Sequence, residues 1–511
     1  MTRKLVFIAF VVSLGGFLFG FDAGIISGVM NYAGPQFNLS DGQIGWVTSA
    51  PSFAAMISML FAGRMSDRWG RKPLLIIVAI LYTVSALWSA YAQTYESLYI
   101  ARMVGGLAFG AALILAPIYI AEISTSANRG KLVAIQQLNI VFGFFAAFLS
   151  NYHFNESLTA GIYDIENVWR WMLGVEMIPA ALYFIALLAV PRSPRWLFLN
   201  SYKEKAVQTL NKIHTKEVAV SQITLIEESH ISREDKEQIP ISYLFKKSIR
   251  FILVIGLVVG ILQQVTGINA IYFYATSIFK QTGIGTDAAF ASSVLLAAVT
   301  VVFTIISMFL IDRVGRRPLL LVGTAGIAVS LMLCAYAFNI ATYSLSKDDI
   351  QGLQFEESTM LIPVVDRVFK SDVEFKNEMK SILGTQSYNR NDGDIIEAAT
   401  TMDANLVLIG ILGFIACFAF SLGPVMWVLL SELYPMKIRA LAVGCIAFVN
   451  SACSSIVQLI FPWELSNLGN ALTFLIFGVI AAVGFFILFK ILPETKGKSL
   501  EQLELELVET H

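Results

Sequence analysis

Three ionisable side chains stand inside long apolar runs: Asp22 between Leu5 and Met30, Arg102 between Ser97 and Ile120, and Glu176 between Trp171 and Val190. A charge surrounded by hydrocarbon is costly, so residues of this kind are kept for a task rather than for solubility. An isolated carboxylate there takes up a proton, whereas one beside an arginine keeps its charge. Two acids sharing one arginine make a centre whose proton occupancy can follow conformation, as proton-coupled transport requires. A permanent buried ion pair would use the same three residues without any coupling. Chemistry of other kinds finds no support. The chain has four histidines and four cysteines, with no metal-ligand spacing and no nucleophile–base constellation in its polar segments. No enzyme, metal site or cofactor is therefore expected.

The elements that must position these charges follow from composition. Of 511 residues, 56% are hydrophobic and 14% charged, against about a quarter charged in soluble domains. Apolar runs of roughly 17–25 residues, the length that spans a bilayer as a helix, recur twelve times. Six are Leu5 to Met30, Gln43 to Gly63, Leu74 to Ala92, Ser97 to Ile120, Leu132 to Ser150 and Trp171 to Val190. Six more are Phe251 to Phe279, Ala288 to Ile311, Leu319 to Asn339, Ala404 to Leu430, Ala440 to Ile460 and Leu468 to Ile491. The fold class is an all-α membrane protein: residues 1–190 form one six-helix half and 251–491 the other. Residues 191–250 are linker helices, and 492–511 a tail. A polar insert, 342–403, interrupts the second half, as either an ordered cap or a disordered segment. Net charge is −1 and no basic stripe appears, so the partner is a lipid bilayer and not nucleic acid. Arg64, Arg68, Arg71, Lys72, Arg129, Lys131, Arg313, Arg316 and Arg317 all follow even-numbered spans, while the connections 31–42 and 151–168 lack Lys and Arg. The positive-inside rule then puts both termini in the cytoplasm and the insert outside, with the chain in the cell (inner) membrane.

The halves repeat. Asp67-Arg68-Trp69-Gly70-Arg71-Lys72-Pro73 returns as Asp312-Arg313-Val314-Gly315-Arg316-Arg317-Pro318, and Glu122 with Arg129 returns as Glu432 with Arg439 at the same spacing. The second displacement is longer by about the length of the insert, which interrupts only one copy. Repeated halves with a site at their interface are the architecture of secondary transporters. These charges, with Arg195 in the linker, form an expected cytoplasmic latch that holds the inner helix ends and parts when the carrier opens inward. Simple topology-setting charge is the plainer alternative.

Gly63-Arg64 through Pro73, Pro191-Arg192-Ser193-Pro194-Arg195-Trp196-Leu197, Gln263-Gln264-x-x-Gly267-Ile268-Asn269 and Pro493-Glu494-Thr495-Lys496-Gly497 together resemble the signatures of the sugar porter family of the major facilitator superfamily. The resemblance spans nearly the whole chain except the insert. It is strongest to bacterial D-xylose/proton symporters and extends to facilitative glucose transporters. One departure is Arg192, where the family motif has an acid. The resemblance implies a twelve-helix carrier of a monosaccharide, with Asp22, Arg102 and Glu176 at the symporters' proton-coupling positions. Facilitative relatives carry Asn at the first of these.

Sugar chemistry then selects candidate contacts. Amides offer both donor and acceptor to ring hydroxyls, and aromatic rings suit the C–H face. Gln137, Gln263, Gln264, Asn269 and Trp427 fit these roles, and the resemblance adds Phe19, Tyr274, Thr300 and Asn450. On a continuous helix Gln263 and Gly267 share one face, leaving room for a ligand. Thr300, Asn450, Ser451 and Phe273 depart from the xylose carriers, so pentose, hexose and cyclitol all stay open. The expectation is proton-coupled symport of a D-xylose-like pentose or hexose by alternating access, functional as a monomer. The alternatives are a facilitative uniporter, a proton/myo-inositol symporter and, remotely, a sugar sensor that does not transport.

Overall fold

The structure, a computed structural model, describes residues 2–231, 241–353, 355–435 and 438–496. Among them are twelve membrane-length apolar spans, the number expected. The first six are α1 (Arg3–Gln36), α2 (Asp41–Trp69), α3 (Arg71–Ala90), α4 (Tyr95–Ile123), α5 (Ser126–Thr159) and the pair α6 (Val168–Gly174) and α7 (Met177–Ala189). The linker contains α8 (Pro194–Leu199), α9 (Lys203–Ile213) and α10 (Lys216–Ile231); its residues 232–240 lie outside the described residues, as do 497–511 of the tail. The next three spans are the pair α11 (Lys247–Val265) and α12 (Ile268–Lys280), then α13 (Thr286–Val314) and α14 (Arg316–Asn339).

The insert is an ordered cap rather than a disordered segment. It holds β1 (Thr342–Tyr343), α15 (Lys347–Gly352), a 3₁₀ segment Glu356–Val364, α16 (Asp372–Leu383), α17 (Thr385–Ala399) and β2 (Thr400–Thr401). β1 and β2 pair antiparallel, with Thr342 opposite Thr401, and tie the two ends of the insert together. Between them Leu361, Phe375, Met379, Tyr388 and Ile395 are buried in a core of the insert's own. Ser346 opens α15 with a reciprocal capping box to Asp349, which satisfies donors that a short helix leaves free. The last spans are the pair α18 (Ala404–Phe420) and α19 (Leu422–Leu433), then α20 (Arg439–Asn467) and α21 (Gly469–Ile491).

Three spans are broken, and each break has a local cause. Pro179 has no N–H for the Val175 carbonyl, so Ile178 bonds it instead at 3.1 Å in a tighter turn, and the helix restarts after Glu176. Pro424 likewise leaves the Phe420 carbonyl without its helical donor. The Ser307 hydroxyl fills that place at 3.1 Å, and Ser421 takes φ −124°, ψ −99° between α18 and α19. Gly267 adopts the left-handed region at φ +88°, which glycine alone enters without penalty. It therefore does not continue the helix of Gln263, and a side chain there would meet Phe477. The shared face expected of Gln263 and Gly267 is absent, because Gly267 is the joint rather than a helical position.

The chain packs as two compact units. The first comprises Met1–Asp22, Ala50–Phe144 and Leu173–Tyr243. Its core is small-residue packing around α4: Ala108, Ala112, Leu115 and Tyr119 bury against Val12, Leu75, Tyr82 and Ala180. Small side chains let helices approach where lipid supplies no hydrophobic drive. The closest approach is between α1 and α5. A Cβ on Gly20 would lie 2.0 Å from the Ile140 carbonyl oxygen, and one on Gly143 2.0 Å from that of Phe17.

The second unit comprises Ala23–Ser49, Phe145–Met172 and Leu244–His511. Here the ends of α1, α2 and α5 pack directly on α12, α13 and α20. Ser27 Oγ meets Thr276 Oγ1 at 3.0 Å, and Thr276 Oγ1 meets Ser293 Oγ at 3.2 Å. Asn155 donates to Asp287 at 2.6 Å and accepts from Tyr32. Gly45 lies against the Leu459 carbonyl. These contacts form one seal at the insert-bearing end of the unit.

Gly143→Ala should destabilise the folded protein by about 1–3 kcal/mol, because the backbones must separate to admit a methyl group. Gly63→Ala, with nothing within 4 Å of its Cβ position, should be neutral or stabilising. Thermal unfolding of the two variants in the same detergent checks the contrast.

Candidate functional site

Asp22 and Arg102 meet deep in the first unit. Arg102 Nη1 lies 3.0 Å from Asp22 Oδ1 and Nη2 lies 3.3 Å from Oδ2, a two-pronged fork that fits guanidinium to carboxylate. Their side chains are 1% and 7% exposed, so water does not share the pair. Glu176 is also buried and close enough to feel the charge of both. It sits in the break between α6 and α7, where the chain leaves helical register. Tyr82 and Tyr183 hold α1 beside this centre through its backbone: Tyr82 donates to the Gly15 carbonyl at 3.0 Å and Tyr183 to that of Val12 at 3.4 Å. All three sequence-selected charges thus converge. Phe19, one turn before Asp22, packs against Phe109 with tilted rings whose centroids are 4.8 Å apart. Gln137 on α5 is half-buried, and its side chain makes no hydrogen bond among the described residues.

A polar network lies within the second unit. Asn450 Nδ2 donates to the Gly260 carbonyl at 2.7 Å and to Gln263 Oε1 at 2.9 Å. Gln263 Nε2 donates to the carbonyls of Leu422 at 2.9 Å and Gly423 at 3.2 Å, at the start of α19. Backbone carbonyls only accept, so they fix which end of each amide is the donor. That polarity propagates. Gln264 Nε2 donates to Asn450 Oδ1 at 3.1 Å, and Gln264 Oε1 accepts from Asn269 at 2.9 Å. Gln263, Gln264, Asn269 and Asn450, taken from three helices, therefore form one connected site at the α11/α12 break.

The remaining candidates lie differently. Tyr274 donates to the Gln458 carbonyl at 3.0 Å. Thr300 donates to Leu296 O at 3.0 Å, which leaves its oxygen to accept from Tyr272 at 2.9 Å. Trp427 on α19 is 43% exposed and is not joined to the amide network. Two network members escaped the sequence reading: Ser454, which accepts from Asn269 at 2.6 Å, and Gln458, which donates to Ser454 at 2.8 Å. The signal was present as polar residues every fourth position along α20, at 450, 454 and 458.

The repeated loops make matching ion pairs, each inside its own unit. Arg71 bridges Asp67 and Glu122, both at 2.8 Å, and Ser193 at the start of α8 donates to Glu122. Arg195 adds its charge near Glu122. In the second unit Arg316 pairs with Glu432 at 2.7 Å, which also accepts from Thr495. Glu494 accepts from the backbone N–H groups of Arg316 and Arg317, each at 3.2 Å. The loop glycines Gly70 and Gly315 both take positive φ, at +91° and +106°. Arg439 donates to the Tyr434 carbonyl at 3.1 Å rather than to Glu432. Arg68, Arg129 and Arg313 make no ion pair among the described residues; the Asp312 side chain and Gly497 lie outside them.

Comparison with known proteins agrees with this architecture. A family model described as "Sugar (and other) transporter" matches residues 8–354 and 387–507, passing over part of the insert. The chain is 33% identical over 507 residues to the probable metabolite transport protein CsbC of Bacillus subtilis (strain 168), covering 99% of this chain and 95% of that protein. It is 32% identical over 502 residues to the arabinose-proton symporter of the same organism, covering 98% and 94%. Among solved structures, a partially occluded inward-open conformation of the xylose transporter XylE from E. coli matches with a TM-score of 0.73 at 27% identity, covering 98% of this chain and 100% of that one. A family model spanning most of the chain, twelve membrane-length spans and transporter relatives along the whole length lead to one conclusion: this is a multi-pass membrane transporter, not an enzyme, and it belongs to the sugar porter family of the major facilitator superfamily.

Proposed function

We propose that the protein is a proton-coupled symporter for a monosaccharide, a pentose or hexose of the D-xylose kind, working by alternating access as a monomer. The observation that carries this reading is the buried Asp22–Arg102 fork with Glu176 beside it. A second acid near an already paired one gives the arginine a choice of partner, and the choice can be set by a proton. In the proposed cycle Asp22 takes a proton from the outer side and releases Arg102 toward Glu176. Sugar then engages Gln137, Gln263, Gln264, Asn269 and Asn450, with Phe19, Tyr274, Thr300 and Trp427 as further contacts. The halves rock in alternating access, and on the inner side Arg102 recovers Asp22 as the proton leaves. The Arg71–Glu122 and Arg316–Glu432 clusters serve as latches at the cytoplasmic ends, with both termini on that side and the chain in the cell membrane.

The arabinose-proton symporter and the xylose transporter XylE among the relatives support a sugar substrate and, for the former, coupling to protons. The departures at Thr300, Asn450 and Ser451 leave a cyclitol such as myo-inositol as a second substrate class. A competition panel of pentoses, hexoses and inositols separates these. Facilitated diffusion, with Asp22 a fixed structural charge, is the alternative mechanism.

Asp22→Asn decides between the mechanisms: accumulation of labelled sugar in energised vesicles should fall to simple equilibration, while sugar exchange across the membrane persists. Unchanged accumulation by this variant would rule out the coupling role. Arg102→Met should destabilise the protein by about 3–5 kcal/mol, because it strands a buried carboxylate, and adding Asp22→Asn should recover most of that loss. Thermal unfolding of the single and double variants measures both.

A further inference from the structure

We propose that the insert between β1 and β2 is a strap on the outer gate: it holds α12 in its sealed position and so biases the carrier against opening on that side. The inference rests on the alternating-access reading above and adds a regulator to it.

α12 carries two backbone joints. It is joined to α11 through the left-handed Gly267 and bends again at Tyr274, where φ is −122° and ψ 17°. It carries Thr276, the centre of the Ser27–Thr276–Ser293 seal. Opening the insert-bearing end means withdrawing Thr276 from Ser27, and α12 can do this only if its far end is free.

That far end is held. Lys280, the last residue of α12, pairs with Asp392 of α17 at 3.4 Å, with side-chain exposures of 10% and 35%. Gly393 beside Asp392 leaves room for the ammonium group, because a Cβ there would lie 3.1 Å from Lys280 Nζ. Beyond α12 the chain passes Gly283 and Gly285, which lie against Thr400 and Glu397 of the insert. The insert in turn is anchored elsewhere. Asp372 of α16 accepts from the backbone N–H of Asn470 at 3.1 Å and from its side chain at 2.9 Å, which fastens it to the start of α21. Lys376 neutralises the same carboxylate at 3.1 Å. The insert therefore bridges a jointed helix and a continuous one.

The two kinds of contact differ in character. Within the insert the packing is apolar and closed. Toward the helices it is ionic and polar, made by the Lys280–Asp392 pair and the Asp372–Asn470 hydrogen bonds. An interface made of a few partly exposed ionic and polar contacts parts and re-forms at modest cost, whereas the buried apolar core keeps the insert a single body. Such a body can release α12 without unfolding. The family model passes over residues 355–386, the part of the insert that holds α16 and its Asp372 anchor to α21.

The test is a cysteine reporter, Ser293→Cys, in the full-length protein with the four native cysteines replaced, reconstituted in vesicles. Ser293 is 1% exposed beneath Thr276. The initial rate of labelling by a membrane-impermeant maleimide is measured in right-side-out and in inverted vesicles, so the assay depends on neither the sugar nor the assumed orientation. Lys280→Met and Asp392→Asn should each raise the labelling rate on the insert-bearing side about threefold. The exchanged pair Lys280→Asp with Asp392→Lys should return it toward the parent value, which a folding defect would not do. Equal labelling in parent and single variants, or an exchanged pair no better than either single variant, would overturn the proposal. Asp22→Asn tested in the same way leaves the strap intact, so loss of coupling and loss of the strap read out separately.

Discussion

Everything around the first unit's polar centre answers to one constraint: Asp22 is buried and must share its charge with Arg102 or lose it. The two-pronged geometry is the reason an arginine, and not a lysine, stands at position 102, since a planar fork meets both carboxylate oxygens at once. That requirement propagates outward. A helix bearing a fully buried guanidinium must be packed closely, and α4 provides this with alanines and glycines facing its neighbours. Tyr82 and Tyr183 hold α1 two to three turns before Asp22 by bonding to the carbonyls of Gly15 and Val12. The α6/α7 break then delivers a second acid to the same place.

The second unit obeys a different rule, that of polarity fixed by backbone. Its amides are oriented by carbonyls of Gly260, Leu422 and Gly423, so donor and acceptor ends are set before any ligand arrives. Preorganisation of this kind reduces the ordering cost that a polyhydroxylated ligand imposes on its site. The breaks in the α11/α12 and α18/α19 spans are part of the same design. Irregular backbone at membrane depth exposes polar groups only where side chains or a cavity satisfy them, and Gln263 and Ser307 do so here.

Much of this was legible in the sequence because membrane constraints are severe. Helix length, loop charge and the duplicated Asp-Arg-x-Gly-Arg loops each follow from the bilayer or from repetition, and the spans fell where hydropathy put them. Ionisable residues in apolar runs announced the polar centre for the same reason. What was not legible depended on backbone geometry. Gly267 reads as a helical spacer next to Gln263, and only its positive φ reveals a joint. Arg129 and Arg439 read as partners of Glu122 and Glu432 by repetition, yet Arg71 and Arg316 reach those carboxylates instead. Sequence spacing within one segment does not report which neighbouring helix end comes closest. Ser454 and Gln458 went unread because single polar residues in an apolar helix are common, and the four-residue row acquires meaning only beside Asn269. The insert was ambiguous because its apolar residues are spread thinly among charges, and it becomes a folded body only once β1 and β2 close its ends.

The central claim is that sugar movement and proton movement are one event at the Asp22–Arg102–Glu176 centre. The most direct measurement is the pH of a lightly buffered medium when sugar is added to de-energised cells or vesicles carrying the protein. Coupled entry predicts a prompt alkalinisation of the medium that scales with sugar uptake and disappears when an uncoupler is present. Sugar uptake of normal rate with no accompanying pH change would contradict the account.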